Sequence, residues 1–423
     1  MAETTLSVPI PKVRSRRGVI AGAISIAMAA LIVLMGLSAA GQTSTFVLAS
    51  QRAGVTIPAP DLVLPSGITL YVLGAIAVLI AMYQFFSERE QVSLYTAVVV
   101  GLVVMGFLIW ATQGKSLNLT GMLVSSIVRA TPIGLAALSG IYSERSGVVN
   151  IGIDGMMLIG AFTSVLFASV TKSLFVGVIA GMLFGMLMGL LHAVLSIRYT
   201  VNQIISGTGI IILGLGITTY LHRLVFDVHP EFNSPGPAIP AVQILGLWRI
   251  PVLGPVVFNQ SSLIYLLWVM LVLTQVIMYS TRWGLRVRSV GEHPRAADTL
   301  GINVFKIRYM SVLISGAIAG LAGTYMSIGA AGRFSEGMTA GKGFLGLAAM
   351  IFGNWNPGGA YLGALIFGFF DSWQEKLSIL QVGIPVELLG MAPYLATMVV
   401  LAGFVGRSRM PAADGQPYQK ESA

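Results

Sequence analysis

Four strongly polar side chains interrupt an otherwise apolar part of the chain, between the apolar runs 122–142 and 156–170. They are Glu144, Arg145, Asn150 and Asp154. Only 10% of the residues are charged, and hydrocarbon excludes such groups unless they are paired, buried in protein or in contact with water. Four glycines in the same stretch allow close backbone approach: Gly147, Gly152, Gly155 and Gly160. The pattern is typical of a discontinuous helix at a transport site, and also of a short turn in which Glu144 and Arg145 are solvated.

Three segments carry a resemblance to a known family. They are SERSGVVNIGIDGMMLIGAF (143–162), VNQIISGT (201–208) and RWGLRVRSVGEHPRAADTLGIN (282–303). They are similar to the signatures of permease subunits of bacterial ABC importers for simple sugars and nucleosides, in the group that also holds ribose and branched-chain amino-acid permeases. The resemblance covers most of the chain from about 122 to 406, whereas the first 115 residues are longer than expected for the family.

The resemblance implies a set of partners and a location. It implies a second, similar permease subunit in a heterodimer, a cytoplasmic ATPase subunit and an extracytoplasmic substrate-binding lipoprotein. ATP is then bound by the ATPase, and this chain holds no cofactor. The family lies in the bacterial plasma membrane, so membrane lipid is the remaining expected contact.

The composition is that of a polytopic membrane protein. The 423 residues are 55% hydrophobic, with a mean hydropathy of +0.84, and long apolar stretches of about 20 residues predict membrane-spanning helices. The absence of cysteine excludes disulfides, thiolate metal sites and a cysteine nucleophile. The net charge of +9 is explained by lysine and arginine on the cytoplasmic side, so we expect no nucleic-acid partner.

The apolar runs predict an all-α fold with about ten transmembrane helices plus a broken helical hairpin at 344–370. The predicted spans are 18–40, 67–86, 94–112, 119–142 (broken near Arg129 and Pro132), 154–170, 173–197, 203–221, 262–280, 309–328 and 388–404. The first span resembles a cleaved signal peptide, but its length of about 23 residues favours an uncleaved helix. A ridge of four glycines in the span 173–197 predicts close helix packing rather than solute contact.

Basic residues predict the orientation. The clusters Lys12–Arg17, 282–308 and Arg407–Arg409 place both termini and the 282–308 loop in the cytoplasm. The chain then divides into four regions: a cytoplasmic segment 1–17, N-terminal helices 18–115, a permease domain 116–406 and a cytoplasmic tail 407–423, which we expect to be disordered.

Polar residues near the predicted breaks are candidates for a substrate path. A neutral polar solute needs amide and hydroxyl partners, and an aromatic ring stacks on a base or a sugar face. The candidates are Asn150, Asp154, Asn202, Gln203, Asn354 and Trp355. Asn202 and Gln203 open a helix, so they are equally suited to cap it. Arg129 lies within a span, and Glu144 and Asp154 are its candidate partners.

The basic loop is the candidate for coupling to the ATPase. Pro294 suits the first turn of a short helix and Gly301 its end, and the segment resembles the coupling helix of ABC permeases. The coupling candidates are Glu292, Pro294, Arg295, Ala296, Ala297 and Gly301. The segment 337–343 has three residues, not four, before its Gly-Lys pair and lacks the following Ser or Thr of a phosphate-binding loop, so ATP hydrolysis is not expected here.

The sequence leaves a second class of transporter open. In an ion-coupled secondary transporter, Asp154, Glu144 and Arg129 form a coupling relay; a channel or membrane receptor is a third, weaker alternative. No Ser-His-Asp set, zinc motif or paired-carboxylate site stands out, so we predict no catalytic residue, no metal site and no enzymatic activity.

Overall fold

A computed structural model describes residues 16–52, 55–86, 92–236, 239–391 and 409–420. In these residues, nine helices are long and apolar enough to cross a membrane. The α-helices are α1 Arg16–Ser38, α2 Ser66–Phe86, α3 Val92–Ala111, α4 Leu119–Glu144, α5 Ile153–Thr171, α6 Leu174–Ala193, α7 Gln203–Leu221, α8 Ser262–Ser280, α9 Arg282–Glu292, α10 Pro294–Thr299, α11 Val304–Thr324, α12 Lys342–Phe352, α13 Pro357–Leu380 and α14 Val386–Gly390. This confirms the predicted all-α polytopic fold; the predicted last span, 388–404, falls largely outside the described residues.

Short strands occupy several connections between the helices. They are β1 Thr43–Val47, β2 Ser50–Arg52, β3 Val55–Ile57, β4 Leu62–Pro65, β5 Ser116–Asn118, β6 Ala241–Gln243 and β7 Asn259–Ser261. β1 pairs antiparallel with β4 and parallel with β5. Because β5 leads directly into α4, this small sheet ties the N-terminal helices to the rest of the protein.

The main core lies among α4, α5, α11, α12 and α13. α1 to α3 form a second core with the outer half of α13, where Trp373 and Leu377 are buried. Phe107 packs edge-on against Trp373, with ring centroids 5.2 Å apart. The N-terminal helices are therefore packed on the permease domain rather than separate from it.

The glycine ridge of α6 packs as predicted. A Cβ atom at Gly185 would lie 2.5 Å from the carbonyl oxygen of Gly316, and one at Gly320 would lie 2.1 Å from that of Gly181. The backbones of α6 and α11 therefore touch, which only glycine allows here. The predicted close helix packing is confirmed for this face of α6.

The predicted break of the fourth span near Pro132 is wrong, because α4 is one continuous helix with Pro132 inside it. Proline cannot donate to the carbonyl four residues before it, which leaves the carbonyl of Val128 without its helical partner. The hydroxyl of Tyr325 donates to that carbonyl at 3.1 Å. A side chain from the π-helical end of α11, Tyr325–Ala331, thus replaces the missing backbone hydrogen bond.

The predicted hairpin at 344–370 is present, but its two helices differ in length. α12 has 11 residues and α13 has 24, so only the first is short. Gly353 packs against Gly359, and Gly363 against Ala349, which makes the two helices antiparallel. The hairpin was predicted to end at 370 because the apolar run ends at Phe370, whereas α13 continues through charged residues to Leu380.

The tail was expected to be disordered, and this is wrong for residues 409–420. Ala413, Asp414 and Tyr418 are buried, and the amide of Ala413 donates to the carbonyl of Gly291 at 2.9 Å. The tail segment 409–420 covers the end of the helical bundle that carries α9 and α10. We call this end the basic end, after the arginines of 282–308.

Candidate functional site

The polar break 145–152 re-enters the protein instead of turning at its surface. α12 runs in the same direction as α4, since Gly346 packs on Ala136 and Met350 on Gly140. The first turn of α5 lies beside the first turn of α12, because Asp154 packs on Gly343. The last turn of α4 lies near the last turn of α12, because Glu144 contacts Trp355. The 11 residues of α12 span about 16 Å. The break 145–152 therefore runs back about 16 Å inside the bundle, from the end of α4 to the start of α5. This geometry supports the discontinuous helix and excludes the solvated turn.

Internal hydrogen bonds hold the break in place. The side-chain amide of Asn150 donates to Ser315 Oγ at 3.0 Å, and the backbone amide of Val149 donates to Gln203 Oε1 at 2.7 Å. Asn150 is fully buried and Gln203 is 4% exposed. Gly147 has φ +84°, and a Cβ there would lie 2.8 Å from a guanidinium nitrogen of Arg308, so glycine is required at this position.

Asp154 binds the start of α12. Its Oδ1 accepts from the backbone amide of Gly343 at 2.9 Å, and its Oδ2 accepts from Thr339 Oγ1 at 2.9 Å. The carboxylate thus satisfies a free N–H of the first helical turn and lies at the positive end of the helix dipole. In this conformation Asp154 connects α5 to the half-length helix α12.

The second break, at 353–356, lies directly against the first. The indole Nε1 of Trp355 donates to Glu144 Oε2 at 2.7 Å, and Arg145 donates to the carbonyls of Asn354 and Trp355 at 3.2 Å each. Asn354 and Trp355 have φ of 52° and 53°, a conformation that non-glycine residues hold only when their surroundings fix it. Arg145 and Glu144 supply those contacts.

The six substrate-path candidates therefore occupy different environments. Asn150, Asp154, Gln203 and Trp355 are buried against the chain itself. Asn202 caps α7, since its Oδ1 accepts from the amides of Ile204 and Ile205. Asn354 Oδ1 accepts from the amide of Arg409 in the tail segment, at 2.9 Å. Direct contact with a solute stays a prediction for all six.

The tail segment adds a second buried carboxyl group to the basic end. Asp414 shares a hydrogen bond with Glu144, and burial raises the pKa of Asp414 from 3.8 to about 7, although the nearby Arg308 favours its charged form. Arg308 also donates to the carbonyl of Gln416 at 2.9 Å. The tail segment is thus held to α4 and α11 by buried polar contacts.

The short helix predicted to begin at Pro294 exists as α10, followed by Gly301 with φ +80°; its role in coupling stays a prediction. Ala297 is 3% exposed, because it packs into the permease core and anchors α10 there. Ala296 faces outward, and Leu300 is 82% exposed. Sequence reasoning missed Leu300; the available signal was a large apolar residue just before the terminating glycine of a polar loop.

The prediction that Arg129 pairs with Glu144 or Asp154 is wrong. Arg129 contacts Asp371 Oδ2 at 3.0 Å and Glu375 Oε2 at 3.1 Å. Glu144 lies 15 residues further along α4, about 22 Å away along the helix axis, while the antiparallel α13 brings Asp371 alongside Arg129. Lys342 also contacts Asp371 Oδ2, at 3.3 Å.

Sequence reasoning missed Lys342, Asp371 and Glu375. The signal was the spacing of Asp371 and Glu375, which are four residues apart and therefore lie on one helix face. It was overlooked because the hairpin was expected to end at Phe370.

The chain resembles known permeases along most of its length. Residues 122–406 match the family described as "Branched-chain amino acid transport system / permease component". The chain is 42% identical over 305 residues to the guanosine ABC transporter permease protein NupQ of Bacillus subtilis, covering 70% of this chain and 95% of the relative. It is 38% identical over 320 residues to the nucleoside ABC transporter permease protein NupC of Lactococcus lactis, covering 71% and 96%.

A third relative is named for a different solute. A putative glucose ABC transporter permease protein of Haloferax volcanii is 32% identical over 330 residues, covering 71% of this chain and 98% of the relative. Bacillus subtilis and Lactococcus lactis each have a second permease protein similar to this chain, NupP and NupB, at 27% and 24% identity. No solved structure matches the chain.

Proposed function

Because the chain belongs to the family of branched-chain amino acid transport system permease components, we propose that it carries nucleosides or simple sugars across the membrane. Three relatives, each matched over nearly its whole length, are named for guanosine, nucleosides and glucose. All of these are neutral, hydroxyl-rich solutes. The family consists of transport permeases, and this chain is the permease subunit of an ATP-driven importer.

The exposed helix α10 is the observation that carries the coupling proposal. It projects from the basic end, is anchored by the buried Ala297, and presents Ala296 and Leu300 outward. Leu300 is a large apolar side chain exposed beside a polar loop, and burial of a leucine side chain on binding contributes about 1.5–3 kcal/mol. We therefore assign Leu300 to the ATPase contact beside Glu292, Pro294, Arg295 and Ala296. Gly301 allows the chain to turn back into α11.

The partners follow from the same proposal. The paired permease proteins of two bacteria support a second, non-identical permease subunit. A separate ATPase supplies ATP binding, and a binding lipoprotein delivers the solute. The basic end carries the arginines of 282–308, so it is the cytoplasmic end, and the chain lies in the plasma membrane with both termini inside.

Reconstitution tests this function. The complete transporter, with second permease, ATPase and binding protein, is placed in proteoliposomes, and labelled guanosine and glucose are supplied on the side of the binding protein. Uptake of at least one that requires ATP supports the proposal. Absence of ATP-dependent uptake for both, with intact assembly, contradicts it.

The ion-coupled alternative finds no support in the geometry. Its relay requires Arg129, Glu144 and Asp154 to be adjacent. Arg129 pairs instead with Asp371 and Glu375, Glu144 with Trp355, and Asp154 with the start of α12.

A further inference from the structure

Four ionisable side chains form one network on α4, α12 and α13. Asp371 Oδ2 forms ion pairs with both Arg129 and Lys342. Glu375 forms an ion pair with the other terminal nitrogen of Arg129. All four side chains are partly exposed, at 30% for Arg129, 22% for Lys342, 24% for Asp371 and 41% for Glu375. The network therefore borders a space that the described residues leave open.

This space lies along the membrane-spanning helices, away from the basic end. The turn 353–356 is at the basic end, where Asn354 contacts Arg145 and the tail segment. The 11 residues of α12 separate this turn from Lys342, a rise of about 16 Å. On α4, Arg129 lies 15 residues before Glu144, a rise of about 22 Å. Because the hydrocarbon core is about 30 Å thick and α4 is long and apolar enough to span it, the network belongs to the membrane-spanning part of the helices rather than to the basic end.

Lipid is an unsuitable neighbour for the network. Lys342 uses one of three N–H donors on Asp371, and both ion pairs of Asp371 use Oδ2, which leaves Oδ1 without a partner among the described residues. Exposed ionised groups in membrane-spanning segments are costly against hydrocarbon and are typical of substrate pathways. The exposed face of the network must therefore meet water, solute or protein.

The charge balance indicates the class of solute. The network has no net charge, because its two cationic side chains balance its two carboxylates. It therefore does not favour an anionic solute over a cationic one. It offers carboxylate acceptors beside ammonium and guanidinium donors, which together match a pair of neighbouring hydroxyl groups that each donate and accept.

We propose that Arg129, Lys342, Asp371 and Glu375 line the translocation path and hydrogen-bond neighbouring hydroxyl groups of the passing solute. This inference rests on the proposed function and adds the residues and the recognised chemical group. It places the contacts with the solute's hydroxyl groups on α4, α12 and α13. The buried Asp154 holds the start of α12 through Gly343 and Thr339.

Thiol accessibility tests whether the network faces the path. The chain contains no cysteine, so Glu375→Cys and Ser125→Cys serve as single reporters in the complete transporter in proteoliposomes. Ser125 lies one turn from Arg129 on α4 and is partly exposed, and its substitution leaves all four charges in place. The control is Ile212→Cys, an exposed apolar position in the middle of α7.

The probe is a membrane-impermeant methanethiosulfonate, and modification of this chain is read by mass spectrometry. We expect both reporters to react at least about tenfold faster than the control, because the reactive thiolate forms in water and not in lipid. Guanosine with ATP should slow both reactions. If both reporters are as unreactive as Ile212→Cys during turnover, the network faces lipid or a closed interface, and the proposal is overturned.

A hydroxyl-deficient solute tests the recognition itself. Asp371→Asn should lower the kcat/KM of guanosine uptake by about ten- to hundredfold, as loss of a charge-assisted hydrogen bond predicts. Uptake of 2′,3′-dideoxyguanosine should be slow in both proteins and nearly unchanged by the substitution. Equal losses for both solutes would assign Asp371 a purely structural role and overturn the proposal. A wild-type transporter without ATP-dependent uptake would instead contradict the proposed function.

Discussion

The indole of Trp355 and the carboxyl group of Glu144 are joined by a 2.7 Å hydrogen bond that links the two glycine-rich breaks of the chain. The breaks lie more than two hundred residues apart in the sequence. Through this bond the end of α4 is fixed to the turn between α12 and α13, and Arg145 at the same end packs against Gly291 of α9. The bond therefore connects the end of α4 to the end of the half-length helix α12.

Trp355→Phe should destabilise the protein by about 1–3 kcal/mol, because it leaves a buried carboxyl oxygen of Glu144 without its donor. The matched control is Trp373→Phe, because Trp373 is also buried on the α12–α13 unit and its Nε1 has no partner among the described residues. Both changes remove the same volume, so thermal unfolding of the purified protein isolates the hydrogen bond. Equal losses of stability would show that the bond contributes nothing.

Gly320→Ala should impair folding, because its Cβ would overlap the carbonyl oxygen of Gly181, and overpacking a close contact costs about 1–3 kcal/mol. Gly216→Ala on α7 is the control, since no atom lies within 4 Å of a Cβ there. That change should be neutral or stabilise the helix by up to about 1 kcal/mol. Yield and melting temperature of the two variants measure the difference; a stable Gly320→Ala protein would refute the direct backbone contact.

The tail segment should bind more tightly in acid. Burial raises the pKa of Asp414 to about 7 from 3.8, so the docked tail holds a proton that the free tail has lost. Docking is therefore strongest below about pH 4 and weakens as the pH rises to about 7. Glu144 from α4 and Arg308 from α11 face this carboxyl group, and Glu292 from α9 accepts the amide of Ala412.

Two cysteine reporters measure the undocking of the tail segment as the pH rises. Ala413 is buried and Ala412 is exposed, so the ratio of labelling at Ala413→Cys to that at Ala412→Cys cancels the pH dependence of the thiol. The ratio should rise from pH 5 to pH 8, and Asp414→Asn should keep it low throughout. A ratio that falls with pH, or that Asp414→Asn does not flatten, is inconsistent with this role of Asp414.

The orientation gives a separate prediction. Ser234 lies in the connection between α7 and α8, and Ala412 in the tail segment. In whole cells an impermeant thiol reagent should label Ser234→Cys and spare Ala412→Cys, because the basic end is cytoplasmic. Permeabilised cells should label both, which controls for reactivity. The reverse pattern in intact cells would invert the topology.

Helix positions were predictable where the apolar pattern is uninterrupted. The span 262–280 coincides with α8, and the ends of α10 follow from Pro294 and Gly301. Long-range pairing was not predictable. The sequence contains no signal that α13 runs antiparallel to α4, so the partners of Arg129 could not be named.

The direction in which the side chains of α10 point could not be predicted from the sequence either. α10 has six residues, too few for hydrophobic periodicity to show which face is buried. Ala297 was therefore expected to contact the ATPase, whereas it packs into the permease. Ala297→Trp is therefore expected to overfill the permease core and destabilise the permease itself.

The most direct test of the account is the effect of Leu300→Asp on ATP-driven uptake and on retention of the ATPase. The control is Leu245→Asp, because Leu245 is 95% exposed in the α7–α8 connection, away from the basic end. We predict that Leu300→Asp reaches the membrane with unchanged melting temperature, loses its co-purifying ATPase and loses ATP-driven uptake, whereas Leu245→Asp keeps its ATPase. Full ATP-driven uptake and full ATPase retention by Leu300→Asp would contradict coupling through α10.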